Sequence, residues 1–103
     1  MEIHFKNNKD KKFWGSEKAL RKKHGAENAK IITRRLNELS AAPTLKELPP
    51  QSSPHPLSGN MNGLFALDLK HPYRLIIEPV KKLNTKNPIE IDSIQIIKIK
   101  NYH

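Results

Sequence analysis

A proline-rich stretch near the middle of the chain restricts its fold more than any other feature. Five of the eight prolines, Pro43, Pro49, Pro50, Pro54 and Pro56, fall between Ala41 and Ser58. Proline fixes one backbone angle and lacks an N–H, so neither a long helix nor a central strand runs through such a stretch. The residues ahead of it are patterned for helix. Within 26–41, Ala29, Ile32, Leu36 and Leu39 step by three, four and three, which makes one apolar helical stripe. Lys11 to His24 is a second helical segment, strongly basic, with Phe13, Trp14, Ala19 and Leu20 as its main apolar residues and a break allowed at Gly15-Ser16. Gly25 suits the left-handed residue that closes a helix, and it joins the two segments into a hairpin.

Behind the prolines the period changes to that of strands. Residues 63–70 and 73–79 read as a β-hairpin turning at Lys70-His71-Pro72. A polar connection from Lys81 to Pro88 leads to a third strand over 91–100, rich in β-branched residues. Residues 2–6 alternate polar and apolar and suit a short first strand. Thr44 is placed to start one turn through Leu48, and the rest of 41–58 is expected to be loop. A loop that long inside a compact domain is often functional. The order of strand, two helices, long loop and three strands predicts an α+β fold. In it, the helical hairpin packs on one face of a small, mostly antiparallel sheet. At 103 residues, the expectation is a single domain over 1–103.

Charge narrows the partners. The chain has 19 Lys+Arg against 10 Asp+Glu, and most of the excess lies in the first 35 residues. A field of that sign steers toward polyanions, nucleic acid first. Lys11, Lys12, Lys18, Arg21, Lys22, Lys23, Arg34 and Arg35 are the candidate phosphate-binding cations. No stretch approaches the roughly 18 apolar residues of a membrane span. The opening Met-Glu-Ile-His-Phe lacks the apolar core of a signal peptide, so a cytoplasmic location without membrane contact is expected.

Several chemistries have no motif. There is no cysteine and only four glycines, hence no thiolate site and little material for a phosphate cradle. No His-Glu-x-x-His and no Gly-x-Ser-x-Gly occurs, and neither a metal nor another cofactor is expected. The remaining acid–base candidates are histidines. His4 lies in the first strand and His24 ends a helix, where a cation is favoured, and both suit structural roles. His55 is bracketed by Pro54 and Pro56, His71 precedes Arg74 in the hairpin, and His103 follows Tyr102. An imidazole gives or takes a proton near neutral pH, so these three are the more pointed.

The same residues carry a family resemblance. Pro54-His55-Pro56-Leu57-Ser58-Gly59-Asn60 resembles the HPL-x-G-D segment of HigB-type toxins. Gly63-Leu64-Phe65-Ala66-Leu67-Asp68-Leu69 is similar to that family's G-L-W-A-V-D-L. His71-Pro72-Tyr73-Arg74-Leu75-Ile76-Ile77-Glu78-Pro79 is similar to its P-Y-R-L-I-F-E-P, and Asn101-Tyr102-His103 to its terminal D-Y-H. The blocks stand in the family's order behind a basic helical hairpin, so the resemblance spans nearly the whole chain. It points to the HigB-type (plasmid maintenance killer) branch of the RelE/ParE toxin superfamily, and hence to a RelE-like fold in the bacterial cytoplasm.

The resemblance implies a toxin of a type II toxin–antitoxin pair, a ribosome-dependent mRNA endonuclease silenced by a HigA-like antitoxin. Its implied partners are the ribosome, mRNA and, through the antitoxin, operator DNA. Metal-free cleavage through the RNA 2′-hydroxyl needs a base, an acid and a cation for the charged phosphorane. His55 and His103 supply base and acid in either order, Arg74 clamps the phosphate, and Tyr102 stacks on a base or orients the phosphate. The competing reading of Arg74 is a strand residue paired with Glu78 or Asp68. Ser58 stands where the family often has Lys, and Asn60 and Asn101 where it often has Asp. Ser58, Asn101 and His71 are therefore secondary candidates. Two other functions compete: a ParE-like inhibitor of DNA gyrase, and a catalytically weak nucleic-acid-binding domain.

Overall fold

A computed structural model of the chain describes residues 1–52, 54–80, 87 and 91–102. Strand β1 (Glu2–His4) leads into helices α1 (Asn8–Trp14), α2 (Glu17–His24) and α3 (Ala26–Ala41). Single 3-10 turns follow at Leu45–Glu47 and Pro50–Ser52, then β2 (His55–Pro56) and a turn at Gly59–Met61. Strands β3 (Phe65–Asp68), β4 (Tyr73–Pro79) and β5 (Ser93–Asn101) complete the fold. The five strands form one sheet in the order β1-β5-β4-β3-β2, antiparallel except where β1 runs parallel to β5. The expected α+β architecture is therefore observed.

The helical half breaks where its small polar residues allow. Asn7 caps α1, its side chain accepting from the Asp10 N–H at 2.8 Å. Ser16 caps α2 by accepting from the Ala19 N–H at 3.1 Å, so Lys11 to His24 is two helices and not one. Gly25 closes α2 and opens α3, with φ 87° and ψ 161°. Its φ is positive as expected, but ψ is extended and not left-handed helical, a region open essentially to glycine alone. On α3, the buried residues Asn28, Ile32, Arg35 and Leu39 step by four, three and four beside Ala29. No described helix is long and apolar enough to cross a membrane.

All three helices cover one face of the sheet. Trp14, Leu20, Ala29, Ile32 and Leu39 join Phe65, Leu67, Leu75, Ile77, Ile94 and Ile96 in one buried cluster. Full burial of one such large side chain contributes about 1.5–3 kcal/mol. Asn28 pins the sheet to α3 through the β3–β4 turn, its Oδ1 accepting from the Lys70 N–H at 3.0 Å.

The strands differ from expectation in extent. The first covers only Glu2–His4 of 2–6, and the 63–70 segment narrows to Phe65–Asp68. The expected turn after Thr44 is present, but the proline-rich stretch is not all loop beyond it. It adds a second 3-10 turn and the two-residue β2, paired as His55↔Ala66 and Pro56↔Phe65. Proline is tolerated in β2 because β2 is an edge strand. The polar connection expected over Lys81 to Pro88 lies outside the described residues except for Asn87.

Candidate active site

Strand register decides which side chains share the face turned away from the helices. Successive residues of a strand alternate faces. Phe65, Leu67, Leu75, Ile77, Ile94 and Ile96 belong to the helix-side core, so the residues between them turn to the opposite face, where Ala66 and Ile76 are themselves buried. Register then aligns His55, Ala66, Ile76 and Lys98 in one row across β2, β3, β4 and β5. Asp68, Arg74 and Lys100 form the next row. A bulge sets this phase in β5. Ile96 pairs with Ile77 and Lys98 with Ile76, which leaves Ile97 as an extra residue. Ile99 consequently packs on the core while Lys98 and Lys100 face outward.

The rows bring a cluster together around Asp68. Its Oδ2 lies 3.2 Å from Nε2 of His55, and its Oδ1 lies 3.1 Å from Nε of Arg74. The Arg74 guanidinium sits over the Tyr102 ring at 5.0 Å, and the Lys100 ammonium lies 5.4 Å from the same ring. Both cations meet the negative face of the aromatic system. Lys100 Nζ also approaches Met61 Sδ at 3.5 Å. The Tyr102 N–H donates to the Pro72 carbonyl at 2.9 Å, which ties the residue to the β3–β4 turn. A cleft of about 320 Å³ opens here, lined by Asp68, Leu69, His71, Pro72, Tyr73, Arg74 and Tyr102.

Thus His55, Arg74 and Tyr102 converge, and His71 lines the same cleft. The pairing of Arg74 with Asp68, the competing reading of that arginine, is present as well. Ser58 is exposed and precedes the Gly59–Met61 turn, and Asn101 is exposed at the end of β5 opposite Tyr73. His103 lies outside the described residues. Asp68, Lys98 and Lys100 were not foreseen as site residues. The Ile-Lys-Ile-Lys alternation at 97–100 and the lone carboxylate among apolar neighbours at 65–69 are the signals that mark them.

Of the candidate phosphate-binding cations, Lys11, Lys12, Lys18, Arg21, Lys22 and Lys23 are exposed on α1 and α2, and Arg34 is exposed on α3. Arg35 is a correction: it is 7% exposed and turned inward. Its Nε donates to the Asp68 carbonyl at 2.8 Å, and its Nη1 donates to Glu38 Oε1 at 3.1 Å. Placed three residues after Ile32 and four before Leu39, it lies on the buried stripe of α3. His24 departs from expectation electrostatically. Burial, and secondarily the Lys23 charge, hold its imidazole below the ordinary pKa of 6.5, against the pull of the helix end.

No protein-family model matches the chain, and no curated protein matches it. Among solved structures, the chain is similar to the YoeB/ParE toxin from Agrobacterium tumefaciens. The TM-score is 0.59 at 12% identity, over the whole of both chains. At that identity the likeness is one of fold, and it agrees with the RelE-like architecture that the family resemblance implies.

Proposed function

We propose that this protein is a HigB-type toxin of a toxin–antitoxin pair, acting as a ribosome-dependent mRNA endonuclease in the bacterial cytoplasm. The observation that carries this reading is the convergence of His55, Arg74 and Tyr102 on the open face of the sheet, tied through Asp68. An imidazole and a guanidinium are the acid–base group and the cation that 2′-hydroxyl attack on a phosphodiester asks for, and an aromatic face holds a base beside them. Arg74 holds the phosphate and stabilises the charge that builds on it. Tyr102 stacks on a base. His55 and His103 exchange protons with the attacking 2′-oxygen and the departing 5′-oxygen. His71 shares the cleft with Arg74, while Ser58 and Asn101 remain secondary candidates.

The exposed cations of α1 and α2 grip ribosomal RNA without reading sequence. A HigA-like antitoxin neutralises the toxin and carries the complex to operator DNA. The fold likeness to a YoeB/ParE toxin supports the toxin reading.

Mapping mRNA 5′ ends in a reconstituted translation reaction tests it. New ends within A-site codons are expected only when ribosomes and wild-type protein are both present. Arg74→Ala should lower the cleavage rate about 10²- to 10³-fold. The variant should stay folded, since its partly exposed ion pair contributes about 0–1 kcal/mol. His103→Ala should lose activity as well. Intact mRNA with folded wild-type protein would overturn the endonuclease and bring gyrase inhibition forward.

A further inference from the structure

The geometry points to Asp68 as the positioning residue that selects which nitrogen of His55 takes up a proton, and so to His55 as the base of the reaction. This inference rests on the endonuclease reading above. Asp68 presents its two oxygens to two different groups, Oδ2 to Nε2 of His55 at 3.2 Å and Oδ1 to Nε of Arg74 at 3.1 Å. A carboxylate only accepts hydrogen bonds, so Nε2 of His55 is the donor. In the neutral imidazole the lone pair is then on Nδ1, and Nδ1 is the proton acceptor.

Asp68 is itself held in place. Its backbone pairs with Arg74 across β3 and β4, and its carbonyl accepts from the buried Arg35 Nε at 2.8 Å. Tyr102 lies against the Arg74 guanidinium. With Nε of Arg74 engaged by Asp68, the Nη edge is the part of the fork that meets a phosphate. One side chain thereby orients both the base and the phosphate clamp.

Nδ1 of His55 takes the 2′-hydroxyl proton while the 2′-oxygen bonds to phosphorus. The bond from phosphorus to the 5′-oxygen breaks, and that oxygen takes a proton from His103. The products are a 2′,3′-cyclic phosphate and a 5′-hydroxyl.

Asp68→Asn separates this role from a merely structural one. The Arg74 guanidinium always donates, so the new amide turns its oxygen to Arg74 and its NH2 to His55. Nε2 must then accept, and the proton moves to Nδ1. Long-range ¹H–¹⁵N spectra of the full chain should show His55 protonated at Nε2 in wild type and at Nδ1 in Asp68→Asn. The saturating cleavage rate on ribosomes should fall about 10²-fold or more in Asp68→Asn. The half-saturating concentration should not rise, because a negative charge has left the phosphate site. Asp68→Ala leaves the imidazole free to choose, so its spectrum should show both tautomers and its rate should exceed that of Asp68→Asn.

A wild-type His55 protonated at Nδ1 would overturn the proposal. So would full activity in Asp68→Asn, or a spectrum unchanged in Asp68→Ala should the amide variant not fold. A wild type with the Nε2 proton that cuts no mRNA would instead remove the endonuclease reading, and with it the role of His55 as base. The spectra therefore tell the two failures apart.

Discussion

The two faces of the sheet use the same strands and differ in every second residue. On the helix side, Phe65, Leu67, Leu75, Ile77, Ile94 and Ile96 are all buried in one apolar cluster. On the open side, the same strands carry Asp68, Arg74, Lys98 and Lys100, with His55 from β2. Alternation lets one short strand serve stability and chemistry at once, with little interference between them. Arg35 is the exception. It rises from the helical layer and holds the backbone of Asp68, so the two faces are joined at that point.

The largest break in this comparison comes from the helix side. Phe65→Ala removes a fully buried ring and should cost about 3–5 kcal/mol in a denaturant titration. By contrast, Lys98→Ala on the exposed side should stay within about 0.5 kcal/mol of wild type. Arg35→Ala should fall between them, at about 1–3 kcal/mol, because the Asp68 carbonyl and Glu38 lose a charged donor. Its cleavage rate should fall too, as Asp68 loosens, whereas Phe65→Ala should spare the rate of whatever fraction stays folded. Equal cleavage rates in Arg35→Ala and wild type would show that the faces are independent even there.

The smallest effect is one of pH. The folded chain holds the His24 imidazole below 6.5, so the unfolded chain takes up that proton more readily. Stability should therefore be unaffected by His24 at high pH and should fall as pH drops below about 6.5. In His24→Asn, thermal midpoints measured at about pH 7.5 and about pH 5.5 should lie closer together than in wild type.

Much of the helix-side face was legible. The stripe on α3 and the short apolar runs within 63–70 and 73–79 are local patterns, and local patterns survive folding. The open face was legible in part. His55 and Arg74 stood out by their neighbours and by the family resemblance. The pairing of Arg74 with Asp68 is one of the two readings open for that arginine, but the reach of His55 to the same carboxylate is not legible, because it depends on the register of β2 and β3. That register runs through a two-residue strand inside a proline-rich stretch, too short to leave a periodic signal. Arg35 reads as a surface cation by its charge, although its spacing from Ile32 and Leu39 places it inside. Lys98 and Lys100 share a face by simple alternation, but the extra Ile97 hides which face that is.

The same bulge has a consequence for how the chain tolerates changes in length. A strand buried on one face normally resists gain or loss of a single residue, because the slip turns every later side chain over. In β5 the residue that lacks a cross-strand partner is Ile97, between the pairs Ile77↔Ile96 and Ile76↔Lys98. Dropping it would close a regular ladder with Ile96 and Lys98 still opposite the same residues. Losing Ile96 gives the same chain, because both residues are isoleucine, whereas losing Lys98 would set an isoleucine in the lysine's place. A one-residue loss in β5 is thus absorbed best at this one point, where both the core and the row of lysines keep their places.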